Sequence, residues 1–313
     1  MARMIGGRLI ATLPTLLGVL VVVFLVVHMI PGDPVRAVLG DTATAEQVER
    51  TRRDLGLEQP MFQQFVDYVA RVFRGDLGTS ISSRQSVTDQ IVARLPATAT
   101  LALAGVAISV LLGIPLGIVG ATLRGRTADF IALLVSTIGV AAPSFWVGIL
   151  LSTAFGVKLG WLPATGAGTP GDLVSILSAL VLPATALGLS GMALVARMTR
   201  SSMLDVLGED YVRTARAKGA REKRVIYRHA LRNAAIPIAT VIGLNFGNLL
   251  GGTIVMETVF ARPGIGKFLL DGILGRDYPV VQGVTLVIAV SFVLVNLLTD
   301  VTYNFLDPRL KKN

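Results

Sequence analysis

Residues 95–123 read LPATATLALAGVAISVLLGIPLGIVGATL, with no charged residue anywhere in the run. A helix needs ~20 residues, at ~1.5 Å of rise each, to cross a hydrocarbon layer, so this stretch is long enough by itself. Its apolar residues fall on every side and not along one stripe, as suits a helix that touches lipid on one flank and other helices on the rest.

Outward from this run the pattern repeats. Lys, Arg, Asp and Glu leave further uncharged intervals from Arg8 to Asp33, Asp129 to Lys158, Asp172 to Arg197, Arg232 to Glu257 and Asp277 to Asp300. With Arg94 to Arg124 these predict an all-α integral membrane protein of about six transmembrane helices. A composition of 52% hydrophobic and 16% charged residues, with mean hydropathy +0.67, likewise makes lipid the main solvent. The run Leu9–Val27 follows Arg3 and Arg8 as a signal peptide would, but it is long for one. His28-Met29-Ile30-Pro31-Gly32-Asp33 also lacks a small-residue cleavage pattern, so a retained helix is expected.

A net charge of +9 would point to nucleic acid in a water-soluble chain, but here the basic residues sort by membrane side and no nucleic-acid partner is expected. An inner N-terminus places Arg124, Arg126, the basic segment Arg197–Arg232, and Arg309, Lys311 and Lys312 inside. The outer loops hold Lys158 with Asp172, and Arg262, Lys267 and Arg276 with Asp271 and Asp277. The expectation is a multi-pass cell-membrane protein with both termini cytoplasmic.

The chain then divides into residues 1–30, an N-terminal stub with the first helix; 31–93, an extracytoplasmic segment; 94–306, a helical core; and 307–313, a cytoplasmic tail. The core helices are expected near 98–123, 130–156, 173–196, 234–257 and 280–304, with an inner loop at 197–232. In the outer segment, helices are expected at Ala45–Leu55, with Thr44 at the start and Gly56 at the stop, and at Met61–Phe73.

Little here carries out chemistry. There are no cysteines, and His28 and His229 are too far apart for a metal motif, so no metal site is expected. No paired acids, Ser/His set or Ser/Lys set recurs at helical spacing, so no catalytic residues are expected. The string nearest to a phosphate-binding loop, Arg262-Pro263-Gly264-Ile265-Gly266-Lys267-Phe268, has Ala261 where the first Gly belongs and Phe268 where Ser or Thr is required.

The inner loop is the most informative stretch. Asp205-Val206-Leu207-Gly208-Glu209-Asp210-Tyr211-Val212-Arg213-Thr214-Ala215-Arg216-Ala217-Lys218-Gly219, followed by Arg221 to Arg232, predicts two short helices broken at Gly219. Tyr211, Ala215 and Lys218 share a face, with Thr214 and Ala217 beside them, so small residues surround one aromatic anchor. On the residues alone, this loop fits either an anionic membrane surface or a groove on a partner protein.

This loop, continued by Arg228-His229-Ala230-Leu231-Arg232-Asn233-Ala234-Ala235-Ile236-Pro237, resembles the coupling loop of ATP-binding-cassette importer permeases, and more narrowly their dipeptide/oligopeptide/nickel branch. The general form of that loop is Glu-Ala-Ala, three residues, Gly, nine residues, then Ile-x-Leu-Pro. Ala215, Gly219 and Leu231 match it, whereas Arg213, Thr214, His229 and Arg232 depart from it and follow the branch's own variant. Further strings carry the resemblance along the chain: Pro31-Gly32-Asp33-Pro34, Asp54-Leu55-Gly56-Leu57, Gly75-Asp76-Leu77-Gly78, Leu159-Gly160-Trp161-Leu162-Pro163, Glu257 to Gly266, and Arg276-Asp277-Tyr278-Pro279.

The resemblance implies a type I importer permease core with an extra N-terminal helix, and not an enzyme. It implies a second homologous permease subunit, two cytoplasmic ATPase subunits that bind ATP and Mg, and an extracytoplasmic solute-binding protein; membrane lipid surrounds the chain. No cofactor is expected on this chain. The coupling residues implied are Tyr211, Thr214, Ala215, Ala217 and Gly219, rimmed by Arg213, Arg216 and Lys218. Dipeptides and oligopeptides are the expected substrates, ahead of nickel and glutathione.

Inside the spans, Gly243, Gly247 and Gly251 recur every four residues and predict a helix-packing seam. Asn245 and Asn248 should face another helix or the pathway, and Glu257 should form a structural salt bridge. Pro115, Pro143, Pro183 and Pro237 lie where they can kink helices. A self-sufficient secondary transporter would carry buried charges or broken helices at mid-membrane, and these spans read as plain there. A membrane scaffold would leave the two-helix basic loop unexplained.

Overall fold

The computed structural model describes residues 2–29, 35, 43–54 and 58–306. The expectations for Pro31-Gly32-Asp33-Pro34, for a helix stop at Gly56 and for the tail 307–313 lie outside the described residues. The helices in chain order are α1 (Ala2–Met29), α2 (Ala45–Asp54), α3 (Met61–Phe73), α4 (Val87–Thr122), α5 (Thr127–Ala141), α6 (Ser144–Leu151), α7 (Leu173–Leu207), α8 (Asp210–Ala217), α9 (Glu222–Arg224), α10 (Leu231–Val259), α11 (Ile265–Leu274) and α12 (Tyr278–Leu306). Among the described residues there is no strand, only an isolated bridge between Thr79 and Ser86.

The helix starts follow local chemistry. Thr44 and Gln47 form a reciprocal capping box at α2, each accepting the other's backbone N–H at 3.3 and 3.0 Å. Asp172 caps α7 by accepting the N–H groups of Val174 and Ser175.

Four helices among the described residues are long and apolar enough to cross a membrane: Val87–Thr122, Leu173–Leu207, Glu222–Val259 and Tyr278–Thr299. The interval expected as one helix near 130–156 is instead α5 followed by α6 with its π-helical continuation Ser152–Lys158, bent by 100° at the break. If this pair is one span, the count is five, and α1 adds a shorter apolar stretch, Pro14–Leu25. The cause is Pro143, which lacks an N–H and forces the preceding Ala142 out of the helical region, to φ −78° and ψ 121°. The reading of these spans as unbroken therefore fails at Pro143. Pro183 and Pro237 lie inside continuous helices.

Other boundaries run past the apolar intervals, because charge marks where hydrocarbon ends and not where a helix ends. The helix expected near 173–196 continues to Leu207, and the one near 98–123 starts at Val87. The one near 234–257 is continuous with α9 through a π-helical turn, Val225–Ala230. In that turn hydrogen bonding runs i to i+5, which keeps Val225, Ala230 and Ala234 all fully buried on one side.

The chain forms two compact units, Met1–Thr98 with Pro263–Val293, and Ala99–Arg262 with Leu294–Asn313. In the first, Val87, Ile91, Ile265, Val280 and Val284 form one core, and Leu20, Phe24, Tyr68 and Leu286 another. Phe24 packs against Phe65 and Tyr68, and burial pushes the Tyr68 hydroxyl up to about 12, with Arg71 opposing. Two family strings meet here. Asp277 accepts from Ser80 Oγ at 2.6 Å, Ser82 Oγ at 2.8 Å and Ser82 N–H at 3.1 Å, while Gly78 lies against the Pro279 ring.

In the second unit, α4 and α7 approach through small residues. Gly105, Gly113 and Gly117 on α4 leave no room for a Cβ against Leu187, Val195 and Thr199, and Gly188 lies equally close to Ile108. Ser109, in the same four-residue register, donates to the Gly188 carbonyl at 2.8 Å. Close backbone approach of this kind holds membrane helices together where no hydrophobic drive separates protein from lipid.

Candidate functional site

Of the two short helices expected at this loop, the first is present as α8, whereas the second, α9, is only the first turn of the continuous helical segment Glu222–Val259. α8 ends in a Schellman motif: Ala220 N–H donates to the Ala215 carbonyl at 3.2 Å and Gly219 N–H to Arg216 at 2.9 Å. Gly219 has φ +77° with open space where a Cβ would be, so it is backbone conformation, not crowding, that requires glycine.

Val212, which sequence reasoning passed over, is the fully buried anchor of α8. Its burial turns Tyr211, Arg213, Thr214, Ala217 and Lys218 outward and leaves Ala215 half-buried. Tyr211 is 41% exposed, and its hydroxyl accepts from Asn233 Nδ2 at 2.7 Å, which ties the aromatic anchor to the base of α10. α8 also packs on the π-helical turn, and Thr214 Oγ1 donates to the Asp210 carbonyl at 2.9 Å.

Arg216, expected as a charged rim, is engaged within the chain. Its guanidinium donates to both Glu222 oxygens, at 2.7 and 3.1 Å, and so braces α8 against α9 across Gly219. That bonding raises the Arg216 guanidinium above its ordinary value. Both side chains are exposed, so Arg216→Gln is expected to lower stability by only about 0.2–1 kcal/mol, read as a small shift in thermal midpoint.

Beneath the loop, Met203, Ala230, Ala234 and Ile238 pack with Ile118 and Ala121 of α4. Asp129, at the start of α5, receives Arg200 of α7 at 2.7 and 2.9 Å and the Gly125 N–H at 3.0 Å. This pair was not foreseen, although a lone acid heading an apolar run and an arginine just past the end of another are its sequence signal. The loop around α8, α7 and the α4–α5 turn are thus joined by packing and one ion pair.

The intramembrane residues divide. Gly243 packs directly on Thr299 of α12, as a seam requires, Gly247 is half-buried, and Gly251 has nothing of this chain within 4 Å. The α4–α7 contact is the tighter small-residue seam. Asn245 is buried over Gly191 and Ser109, whereas Asn248 lies on an exposed stripe of α10 with Leu244, Gly251 and Val255.

Glu257 is 1% exposed, near the end of α10. Its backbone carbonyl accepts from Arg262 N–H at 2.8 Å, and its charge opposes the burial that pushes the Arg262 guanidinium down. Arg262 is 2% exposed and donates to the Gly166 and Ala179 carbonyls, so it is a core residue and not a charge of the outer loop. Among the described residues, no cluster of His, Cys, Asp and Glu could hold a metal ion.

Comparison with known proteins agrees with this architecture. A family model described as binding-protein-dependent transport system inner membrane component matches residues 113–312, and its N-terminal companion matches residues 1–102. The glutathione transport system permease protein GsiC of Escherichia coli O6:H1 is 44% identical over 304 residues, 97% of each chain. The protein of the same name from Pectobacterium atrosepticum is 45% identical over 304 residues, again 97% of each chain. A chain of the inward-facing MetNI methionine ABC transporter superposes with TM-score 0.58 at 16% identity, covering 69% of this chain and 96% of its own, a likeness of fold alone. The chain belongs to the binding-protein-dependent family of ATP-binding-cassette importer permeases, membrane components that are not enzymes and rely on partner subunits to hydrolyse ATP.

Proposed function

We propose that this permease forms half of a translocation pathway for short peptides, with glutathione as the leading substrate and alternating access driven by two cytoplasmic ATPases. The observation that carries the coupling half of this reading is α8, whose buried Val212 presents Tyr211, Thr214 and Ala217 outward on a helix braced at both ends. Such a small-residue face suits insertion into a groove of an ATPase subunit. Motion of the docked helix would pass through Tyr211–Asn233 to α10, and through α7 and Arg200–Asp129 to the α4–α5 turn.

On this reading both termini are cytoplasmic, and the open stripe of α10 with Asn248 and Gly251 faces a second permease subunit and the pathway. A solute-binding protein delivers substrate from outside, and ATP and Mg bind the partners. Glutathione moves ahead of dipeptides, oligopeptides and nickel because relatives matching 97% of this chain are named for glutathione transport.

The test is the assembled transporter in liposomes with its binding protein, scored for ATPase activity and for uptake of labelled glutathione and a labelled dipeptide. Gly219→Asp, which places a side chain at φ +77°, and Ala215→Glu should each cut uptake about tenfold or more, equivalent to about 1.4 kcal/mol of lost coupling. Normal uptake in both variants would remove α8 as the coupling element. Dipeptide uptake without glutathione uptake would keep the architecture and overturn the substrate.

A further inference from the structure

The basic segment after Gly219 contains a feature that ATPase docking does not use. Arg224, Arg228 and Arg232 follow one another at four-residue spacing through the π-helical turn into α10, and all three are exposed. Four-residue spacing keeps them on one face, opposite the buried Val225, Ala230 and Ala234. Among the described residues none of the three pairs with a carboxylate, and the nearest acid along the chain, Glu222, is held by Arg216. Like charges four apart destabilise a helix, so an unpaired stripe of three is a standing cost unless an anion lies against it.

Its position identifies the anion. Arg232 is the last charge before the uncharged interval that ends at Glu257, and the whole segment Glu222–Val259 is one candidate span. Arg232 therefore marks the hydrocarbon edge, Arg228 lies about 6 Å further along the axis, within a headgroup layer of about 5–8 Å, and Arg224 lies about 12 Å along, at its aqueous side. Tyr227, 54% exposed, sits between Arg224 and Arg228, an aromatic ring with a polar tip at the level where such rings anchor proteins to lipid. The docking face on α8 is a separate helix on the other side of Gly219.

We propose that Arg224, Arg228 and Arg232, with Tyr227, form a binding site for the phosphate headgroup of an anionic phospholipid at this end of α10. The guanidiniums hold the headgroup oxygens, the ring packs on the glycerol region, and the bound lipid fixes the depth of the helix that carries the docking elbow. The site goes beyond the substrate reading and does not rest on it.

The experiment uses the transporter assembled with its partner subunits in nanodiscs of phosphatidylcholine containing a minor fraction of phosphatidylglycerol, with lipid retained after detergent extraction quantified by mass spectrometry. Wild type should retain phosphatidylglycerol well above its bulk fraction, and the enrichment should fall in high salt. Each basic residue near such a surface strengthens association roughly fivefold, so the Arg224→Gln/Arg228→Gln/Arg232→Gln variant should lose the enrichment by about tenfold or more. The corresponding triple Lys variant should keep most of it. Equal enrichment in the Gln variant, or none in wild type, overturns the proposal. So does displacement of the lipid by millimolar inorganic phosphate, which would mean a site for the free ion, or loss of ATPase subunits from the Gln variant with lipid retention unchanged, which would make the stripe a protein contact. If the Gln variant does not assemble, wild-type selectivity at low and high salt and the single Arg228→Gln variant decide in the same way.

Discussion

Gly117→Leu is expected to abolish the folded permease. A Cβ at this position would lie 2.5 Å from Thr199 Cβ and 2.6 Å from the Ala196 carbonyl oxygen, and neither a β-branched stem nor a helix backbone can rotate away. Overpacking of a tight interior costs about 1–3 kcal/mol even for small additions, and an isobutyl group here has to push α4 off α7. That separation also removes the Ser109 hydrogen bond to Gly188 and uncovers the contacts of Gly105 and Gly113. The readout is the monodisperse fraction and thermal midpoint of detergent-purified protein. Gly18→Ala on α1 is the control: it has open space, is not in the left-handed region, and should behave as wild type. A Gly117→Leu variant with normal yield and midpoint would show that the seam has slack that these distances deny.

Arg262→Ala should be the other severe substitution. It leaves the carbonyls of Gly166 and Ala179 without their donor and Glu257 buried without the positive charge that faces it. Leaving a buried acceptor without its donor costs about 1–3 kcal/mol, and the loss of the favourable charge beside Glu257 adds to it. The loop from Gly156 to Asp172, held through Gly166 to Phe260 and Arg262, should then become sensitive to protease. Arg262→Met combined with Glu257→Leu should recover the part of the loss that comes from the Glu257 charge, while the Gly166 and Ala179 carbonyls stay without a donor. Full additivity of the two single changes would mean that the residues do not act on each other.

The membrane spans were legible because hydrocarbon imposes one strong rule, the exclusion of charge over a fixed length. The end of α8 was legible because Gly219 is the residue that a left-handed helix stop demands. What the sequence hid was partnership. The repeat Gly243-Gly247-Gly251 looks like a seam, yet Gly105-Ser109-Gly113-Gly117 is the tighter one, and only the opposing α7 residues distinguish them. Arg262 counted as a loop charge until the carbonyls of Gly166 and Ala179 supplied a buried setting for it. Val212 gave no signal, because on an eight-residue helix a single apolar side chain does not reveal which way it turns. Pro143 resembled Pro183 and Pro237 in the chain, but only at Pro143 does the preceding residue leave the helix.

The latch at Asp277 limits how this chain can be cut and recombined. One carboxylate there accepts three donors from Ser80 and Ser82, residues nearly two hundred positions earlier, while Pro279 fills the space left by Gly78. Two stretches that lie far apart in the chain are therefore one structural part. A chimaera that takes one stretch from this chain and the other from elsewhere is expected to lose the three hydrogen bonds on the acid.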